Sequence, residues 1–388
     1  MRFLTAGESH GKGLSGVIEG IPAGLELTAE YIDHQLYRRQ QGYGRGGRMK
    51  IESDRAEIIS GVRLGKTIGS PISLLVWNKD WENWKEIMPV EVQKVTNKIK
   101  KVTLPRPGHA DLAGVLKFGF DDIRPVIERS SARETAMRVA LGSVARKLLE
   151  EFGITIASHV IQIGKVRIQN SQFKIQNFSI AEITKLSDDS EVRALDSAVT
   201  KKMIDEIKSA QKEGNSLGGI FEVIVDGLPE GLGSYTHWDK KLDGILAQYI
   251  CSIPAIKGVE IGDAFENAGK FGSEVHDEIF FDEKKGYYRK TNRCGGLEGG
   301  MTTGDRLIIR GAMKPLPTLA RPLMSVDIET KKSASAHKER TDTCSVPAAA
   351  VVAEAMTALA LINPLLEKFG GDSIEEIKIR YDREKIRK

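Results

Sequence analysis

The sequence predicts an α+β fold carried by one interwoven domain over residues 1–388, and three observations predict it. Short β-branched runs and amphipathic helical runs are both present but do not alternate as strand–helix–strand units, so neither a doubly wound sheet nor a Rossmann domain is expected. Segments rich in glycine and arginine lie near residues 7–11, 38–54, 105–111, 129–135, 294–318 and 337–344. If they serve one site, no linear cut yields a separate catalytic domain. The composition, 40% hydrophobic and 28% charged, suits a soluble protein with a sizeable core.

From the N-terminus, residues 1–5 enter a strand-like run at once and show no signal peptide. Residues 28–40 and 132–152 read as helices, the second carrying Met137, Leu141, Val144, Leu148 and Phe152 at helical spacing. Residues 57–62, 72–77, 220–225 and 306–310 read as strands. Residues 164–216 are polar and poor in motifs, a peripheral excursion with its own helix near 192–212. Residues 239–251 and 346–361 read as helices. The last starts after Ser345 with Pro347 in its first turn, and Asn363-Pro364 is expected to interrupt it. Glu354 breaks this most apolar stretch, which is too short to span a bilayer, so no membrane partner is expected. Cys251, Cys294 and Cys344 show no C-x-x-C spacing, which argues for a reducing compartment and against a disulfide framework or a cysteine zinc site. The expected location is the cytoplasm, and no metal is expected.

The start of the helix at 132–152 carries the wrong charges. Ser131 and Glu134 have the S-x-x-E spacing of a capping box. Arg129 and Arg133 flank that turn, where free N–H groups and the helix dipole already favour negative charge. Either an anion binds among them or acids from elsewhere in the fold pair with them.

Two glycine motifs are decoys. Gly42-Tyr43-Gly44-Arg45-Gly46-Gly47 satisfies G-x-G-x-x-G, but the flanks are Arg38-Arg39-Gln40-Gln41 and Arg48-Met49-Lys50, not a strand and a helix. Gly61-Val62-Arg63-Leu64-Gly65-Lys66-Thr67 is one residue short of a P-loop and leads into a strand-like run.

Two loop histidines carry more weight. Gly7-Glu8-Ser9-His10-Gly11 sets an imidazole in a flexible turn after a strand, and Arg106-Pro107-Gly108-His109-Ala110-Asp111 presents another beside an arginine and an acid. Such pairs suit proton transfer next to an anionic substrate. His34, His159, His237, His276 and His337 lack that context. Arg38, Arg39, Arg45 and Arg48 among glycines, Gly295-Gly296-Leu297-Glu298-Gly299-Gly300, Lys314-Pro315-Leu316-Pro317-Thr318 and Arg340-Thr341-Asp342 add phosphate-type elements. Together they describe a site for a small, multiply charged ligand with a phosphate-bearing cofactor. A nucleic-acid partner is not expected: the net charge is only +4, and the basic patch at 38–50 lacks interleaved aromatics.

Six ordered motifs, 7–11, 106–111, 129–138 (RSSARETAMR), 252–262 (SIPAIKGVEIG), 295–300 and 340–342, resemble those of chorismate synthases, over essentially the whole chain. The resemblance implies a β-α-β sandwich, with helices between antiparallel sheets, assembled as a homotetramer. It implies an anti-1,4-elimination that turns 5-enolpyruvylshikimate 3-phosphate into chorismate and phosphate, the last step of the shikimate pathway, dependent on reduced FMN. By position, His10 resembles the histidine that protonates the reduced flavin, His109 the one near the departing phosphate, and Asp342 the carboxylate implicated in removing the C6 proton. Arg129, Ser130, Ser131, Pro254, Ala255, Gly299, Lys314, Pro315, Leu316, Pro317, Thr318 and Arg340 fall at FMN-contact positions. Arg39 and Arg45 fall where a nicotinamide nucleotide is assigned, and the reductant is either NADPH or an outside donor. Ser9, Arg48, Arg133 and Arg340 are expected to face the substrate. The main alternative is a flavin reductase or other FMN oxidoreductase, but hydride transfer needs neither loop histidine. Glu298 departs from the pattern by placing an acid in the glycine run.

Overall fold

The computed structural model describes residues 1–388 apart from 47–52, 92–98, 169–174, 285, 340 and 387–388. Arg2–Ala6, Gly13–Glu19, Ile72–Trp77 and Ala56–Ser60 form, in that order, an antiparallel four-stranded sheet. Ile256–Ile261, Leu307–Met313, Gly219–Asp226, Thr155–Ile163 and Val166–Arg167 form a second, five-stranded antiparallel sheet. Helix Thr135–Glu150 packs on the first sheet, helix Val346–Phe369 packs on the second, and the two helices pack on each other. Helices Ala29–Gln40 and Leu242–Cys251 flank the pair. The class is the predicted α+β, with helices between antiparallel sheets.

Side-chain periodicity explains the layers. In the first sheet Leu14, Ile18, Ile72, Leu74 and Val76 turn inward and are buried, while Leu4, Val17 and Trp77 face outward. The second sheet is covered on both faces. Phe221, Val223 and Val225 join the main core, whereas Ala157 and Ile224 pack on Ile180, Ile183 and Leu195. The polar stretch 164–216 thus covers an outer face. It holds helix Ile180–Asp189, which the sequence reading missed, as well as Ser197–Lys212. The two central helices approach closely because Gly142 has no Cβ: one placed there would lie 2.5 Å from that of Ala355.

Three helix expectations need correction. Helix Val346–Phe369 runs through Pro364, because Leu361, Ile362, Leu365 and Phe369 are buried and hold the last turns in place. At 24 residues it is long and apolar enough to cross a membrane, not too short, but 89% of its apolar window is buried inside the fold. The capping box at Ser131 does not form. Ser131 Oγ accepts from the Arg133 N–H at 3.3 Å, but Glu134 pairs with Arg138 at 2.9 Å instead of reaching back, and a 3₁₀ turn, Ala132–Glu134, precedes the helix.

Glu354 is the polar hub of this core. Its carboxylate accepts from Arg38 Nη1 (2.6 Å), Arg38 Nη2 (3.0 Å), Arg146 Nη1 (2.5 Å) and Ser158 Oγ (2.6 Å), with Arg193 Nη2 at 3.5 Å. Asp188 takes the remaining face of Arg38 at 2.8 Å. One buried carboxylate therefore joins both central helices, helix Ala29–Gln40, the second sheet and the outer excursion.

Candidate active site

Segments far apart in the chain converge on a cavity of about 610 Å³. Ser9 and His10 come from the loop after the first strand, and Arg106 and His109 from the loop before helix Asp111–Phe118. Arg129 to Arg133 come from the end of helix Arg124–Ser130 and the turn after it. Pro254, Ala255, Lys314, Leu316, Pro317 and Thr318 form one wall, and Thr341 and Asp342 another.

The loop carrying His10 is clamped, not flexible. Gly7 has φ +108°, and a Cβ there would meet the Gly13 carbonyl oxygen at 2.5 Å, so only glycine fits this turn. Asn78 Nδ2 donates to the carbonyls of Glu8 (3.1 Å) and Gly11 (2.8 Å), and Arg129 Nη1 donates to that of Gly7 (3.1 Å). The His10 ring stacks on Trp84 at a centroid separation of 3.8 Å, and its Nδ1 lies within hydrogen-bond reach of Glu128 Oε1 at 2.9 Å. Ser131 Oγ donates to Ser9 Oγ at 3.0 Å.

His109 belongs to a second carboxylate-backed unit. Its Nδ1 donates to Asp111 Oδ1 at 2.5 Å, and Arg106 holds Asp111 through Nε at 2.8 Å and Nη2 at 3.0 Å. Burial alone would raise the Asp111 pKa, but hydrogen bonds from His109 and Arg106 outweigh it and hold the carboxyl well below its usual range. Arg106 Nη1 also donates to Thr318 Oγ1 at 3.0 Å, and Lys314 Nζ donates to the Gly108 carbonyl at 2.8 Å. The 314–318 wall is thereby fastened to the His109 loop. Behind that wall Ala255 is a non-glycine residue at φ +69°, and its carbonyl accepts from the Lys314 N–H at 2.9 Å. Such strain persists only where the surroundings over-determine it, and it accumulates at functional sites. Asp342 accepts from the Gly46 N–H (2.6 Å) and Ser345 Oγ (2.7 Å) and pairs with Arg45 Nε (3.1 Å).

A cavity walled by two carboxylate-backed imidazoles, several arginines and a lysine is built for acid–base work on anions. The chorismate synthase family model matches residues 1–366. The chain is 58% identical to the chorismate synthase of Alkaliphilus metalliredigens (strain QYMF), over 97% of each chain. The chain belongs to the chorismate synthase family. It is also 54% identical to the chorismate synthase of Bacillus subtilis (strain 168), over 100% of this chain and 99% of that one. A crystal structure of a chorismate synthase superposes with a TM-score of 0.79 at 43% identity, covering 98% of this chain and 96% of that chain. The chain is accordingly an enzyme of the shikimate pathway, a carbon–oxygen lyase acting on phosphates.

The structure brings together His10, His109, Asp342, Ser9, Arg39, Arg45, Arg129, Ser130, Ser131, Arg133, Pro254, Ala255, Lys314, Leu316, Pro317 and Thr318 at this cavity. Pro315 lies between two lining residues without lining the cavity itself. Gly299 does not line it either. It sits in the turn between strands Leu297–Glu298 and Met301–Thr302, where the glycine run makes a hairpin instead of approaching the ligand cavity of its own chain. Glu298, unexplained in the sequence, pairs there with Arg289 at 2.7 Å. Arg48 and Arg340 lie outside the described residues. Arg38, grouped with the phosphate-type arginines, turns into the core to Glu354. Arg39 lines the cavity but is buried and tied down: Nε donates to Thr135 Oγ1 and Nη2 to the Ala132 carbonyl, both at 3.0 Å. Burial pushes its guanidinium pKa down to about 10.

The two puzzling arginines at the helix start resolve differently. Arg129 donates to the Thr5 and Gly7 carbonyls and to Thr5 Oγ1. Arg133 has an acid after all: Nη1 donates to buried Asp54 at 2.5 Å, and Nε donates to Asn78 Oδ1 at 2.8 Å. Asp54 also faces Arg39 at 3.5 Å. Of the two readings of this turn, pairing with an acid from elsewhere in the fold is the one that holds for Arg133. Arg133→Ala is expected to destabilise the ligand-free protein by roughly 1.5–3 kcal/mol, the scale of a lost hydrogen bond to a charged group. Urea unfolding without ligands checks this, and an unchanged or raised midpoint would contradict it.

Proposed function

We propose that this chain catalyses the anti-1,4-elimination of phosphate from 5-enolpyruvylshikimate 3-phosphate to give chorismate, with reduced FMN bound in the same cavity and NADPH as reductant. The observation that carries this reading is the convergence of two carboxylate-backed histidines and a cationic wall on one cavity within a chorismate synthase framework. The donor set fits FMN. Arg129, Ser130, Ser131, Lys314 and Thr318 offer cations and hydroxyls to a phosphate-bearing ligand, and Pro254, Ala255, Leu316 and Pro317 offer apolar surface to a flat ring. When bound, reduced FMN supplies electron density that eases cleavage of the carbon–oxygen bond and is recovered as the C6 proton leaves.

The chain's own residues do the rest. Arg106 and His109 supply N–H donors to the charge that grows on the departing phosphate, and forked guanidinium donors match phosphate oxygens. Asp342 accepts the C6 proton, with Arg45 and Ser345 fixing its orientation. Ser9 and Arg133 bind the substrate's anionic groups, and His10 keeps the flavin side of the cavity protonated. The same reading carries a cytoplasmic homotetramer of single-domain subunits. Exposed Phe281 and Tyr287, on a hairpin joined to the Gly299 hairpin by Arg289 and Glu298, offer apolar surface for subunit contact.

Under anaerobic conditions the purified protein with chemically reduced FMN is expected to release phosphate from 5-enolpyruvylshikimate 3-phosphate. Equal release with oxidised FMN, or none with reduced, would sink the reading. Replacing the chemical reductant with NADPH tests whether the protein reduces its own flavin.

A further inference from the structure

We propose that Glu128 is a positioning residue for His10: it fixes the imidazole in the Nδ1–H tautomer and sets the ring plane, so that His10 exchanges protons with the cavity through Nε2. Glu128 lies in helix Arg124–Ser130, immediately before the Arg129-Ser130-Ser131 run, and its carboxylate is fully buried. It grips the same residue twice. Oε2 accepts the His10 backbone N–H at 2.7 Å, and the ring Nδ1 lies 2.9 Å from Oε1 and 3.1 Å from Oε2. The Glu128 carbonyl accepts the Ser9 N–H at 3.1 Å, so the loop is tied to the helix at three points.

The ring has little freedom left. Trp84 stacks on one face of His10, with an interplanar angle of 20°. Arg124 sits over Trp84 and donates to Glu128 Oε1 at 3.3 Å and Glu339 Oε1 at 2.7 Å, which links this unit to the segment leading to Asp342. Burial would raise the Glu128 pKa, but hydrogen bonds from His10 outweigh it and keep the carboxylate charged. A charged carboxylate is acceptor-only, so the ring nitrogen facing it must carry a proton. The partner of one imidazole nitrogen decides what the other can do.

Glu128→Gln gives a sharp test because the side chain keeps its shape but loses one of two acceptors. The His10 backbone N–H cannot release its proton, whereas the ring can. The amide oxygen therefore takes the backbone N–H in the Oε2 position, and the amide NH₂ in the Oε1 position faces Nδ1 and turns it into an acceptor, while Arg124 gives up its 3.3 Å contact there and keeps Glu339 at 2.7 Å. In ¹⁵N spectra of ligand-free, imidazole-labelled protein at a pH where the ring is neutral, wild type should show a protonated Nδ1. Glu128→Gln should show a protonated Nε2, and Glu128→Asp, which keeps both acceptors, should resemble wild type; His10→Asn identifies the signals. With the elimination assay, kcat should fall roughly 10–100-fold in Glu128→Gln, the usual cost of losing a partner that orients a functional imidazole. KM should change less than about threefold, and Glu128→Asp should recover part of the rate. A wild-type tautomer in Glu128→Gln, or a loss expressed in KM instead of kcat, would overturn the proposal. The catalytic part rests on the elimination reading; the spectra do not, so a wild type that releases no phosphate would overturn that reading and leave the tautomer result standing.

Discussion

Glu354→Gln is expected to lower the free energy of unfolding by about 3–5 kcal/mol, the usual cost of removing one member from a buried ion cluster. The substitution is nearly isosteric, so packing of the central helix is not the issue. What changes is charge: Arg38 and Arg193 are buried, Arg146 nearly so, and all three point at this carboxylate. A neutral amide also turns two donors toward guanidinium groups that have only donors to offer. The cluster has a pH signature of known sign. Burial alone would raise the Glu354 pKa, but Arg38 and Arg146 outweigh it and hold it well below the ordinary 4.5. A carboxylate whose folded pKa is depressed contributes stability above its unfolded value, and that contribution is lost as pH falls toward the folded one. Wild type should therefore weaken below about pH 4.5, helped by Glu339, whose pKa is held at about 2 by His337 and Arg124 against the opposing effect of burial. The gap between wild type and Glu354→Gln should narrow over the same range. Urea unfolding of both proteins at pH 7 and near pH 4 measures this. Equal midpoints at pH 7 would mean that the three arginines find other partners.

This hub shows where sequence reading stops. Glu354 was visible as a break in an apolar run, but its partners at positions 38, 146, 158 and 193 are far away in the chain, and no local rule links them. The α+β class was legible because strand and helix runs do not alternate. The strands around 72–77 and 220–225 were legible because each is a short β-branched run with abrupt ends. The Pro364 expectation failed because local backbone preference was outvoted by burial on both sides of the proline. At the site, glycine-flanked histidines stood out, since few structural roles call for that context. Arg38 and Arg39 are neighbours of identical charge on one helix, yet one enters the core and the other the cavity. Asp54 is 79 residues from the arginine it neutralises, and Arg124 with Glu128 has the i, i+4 spacing of an ordinary surface pair. Charge partners converge only when the fold exists, so they were the part left unread.

The same convergence makes His109→Ala the most telling change at the cavity. Turnover is expected to fall roughly 10²–10⁴-fold, the range for a positioned acid or base. The scaffold should survive. Asp111 is fully buried, but it keeps the Arg106 side chain at 2.8 and 3.0 Å and the Arg106 backbone N–H at 3.0 Å, so no buried carboxylate is stranded. Arg106 in turn keeps Thr318, and Lys314 keeps the Gly108 carbonyl, so the wall next to the loop stays fastened. The loss should therefore appear in kcat, with flavin affinity and unfolding midpoint close to wild type. Asp111→Asn should be worse for the fold, since it removes the charge that Arg106 and His109 share. Parallel measurement of phosphate release, flavin binding by fluorescence and urea unfolding separates these outcomes. Near-normal turnover in a folded His109→Ala protein would remove His109 from the chemistry and leave Arg106 as the group that meets the departing phosphate.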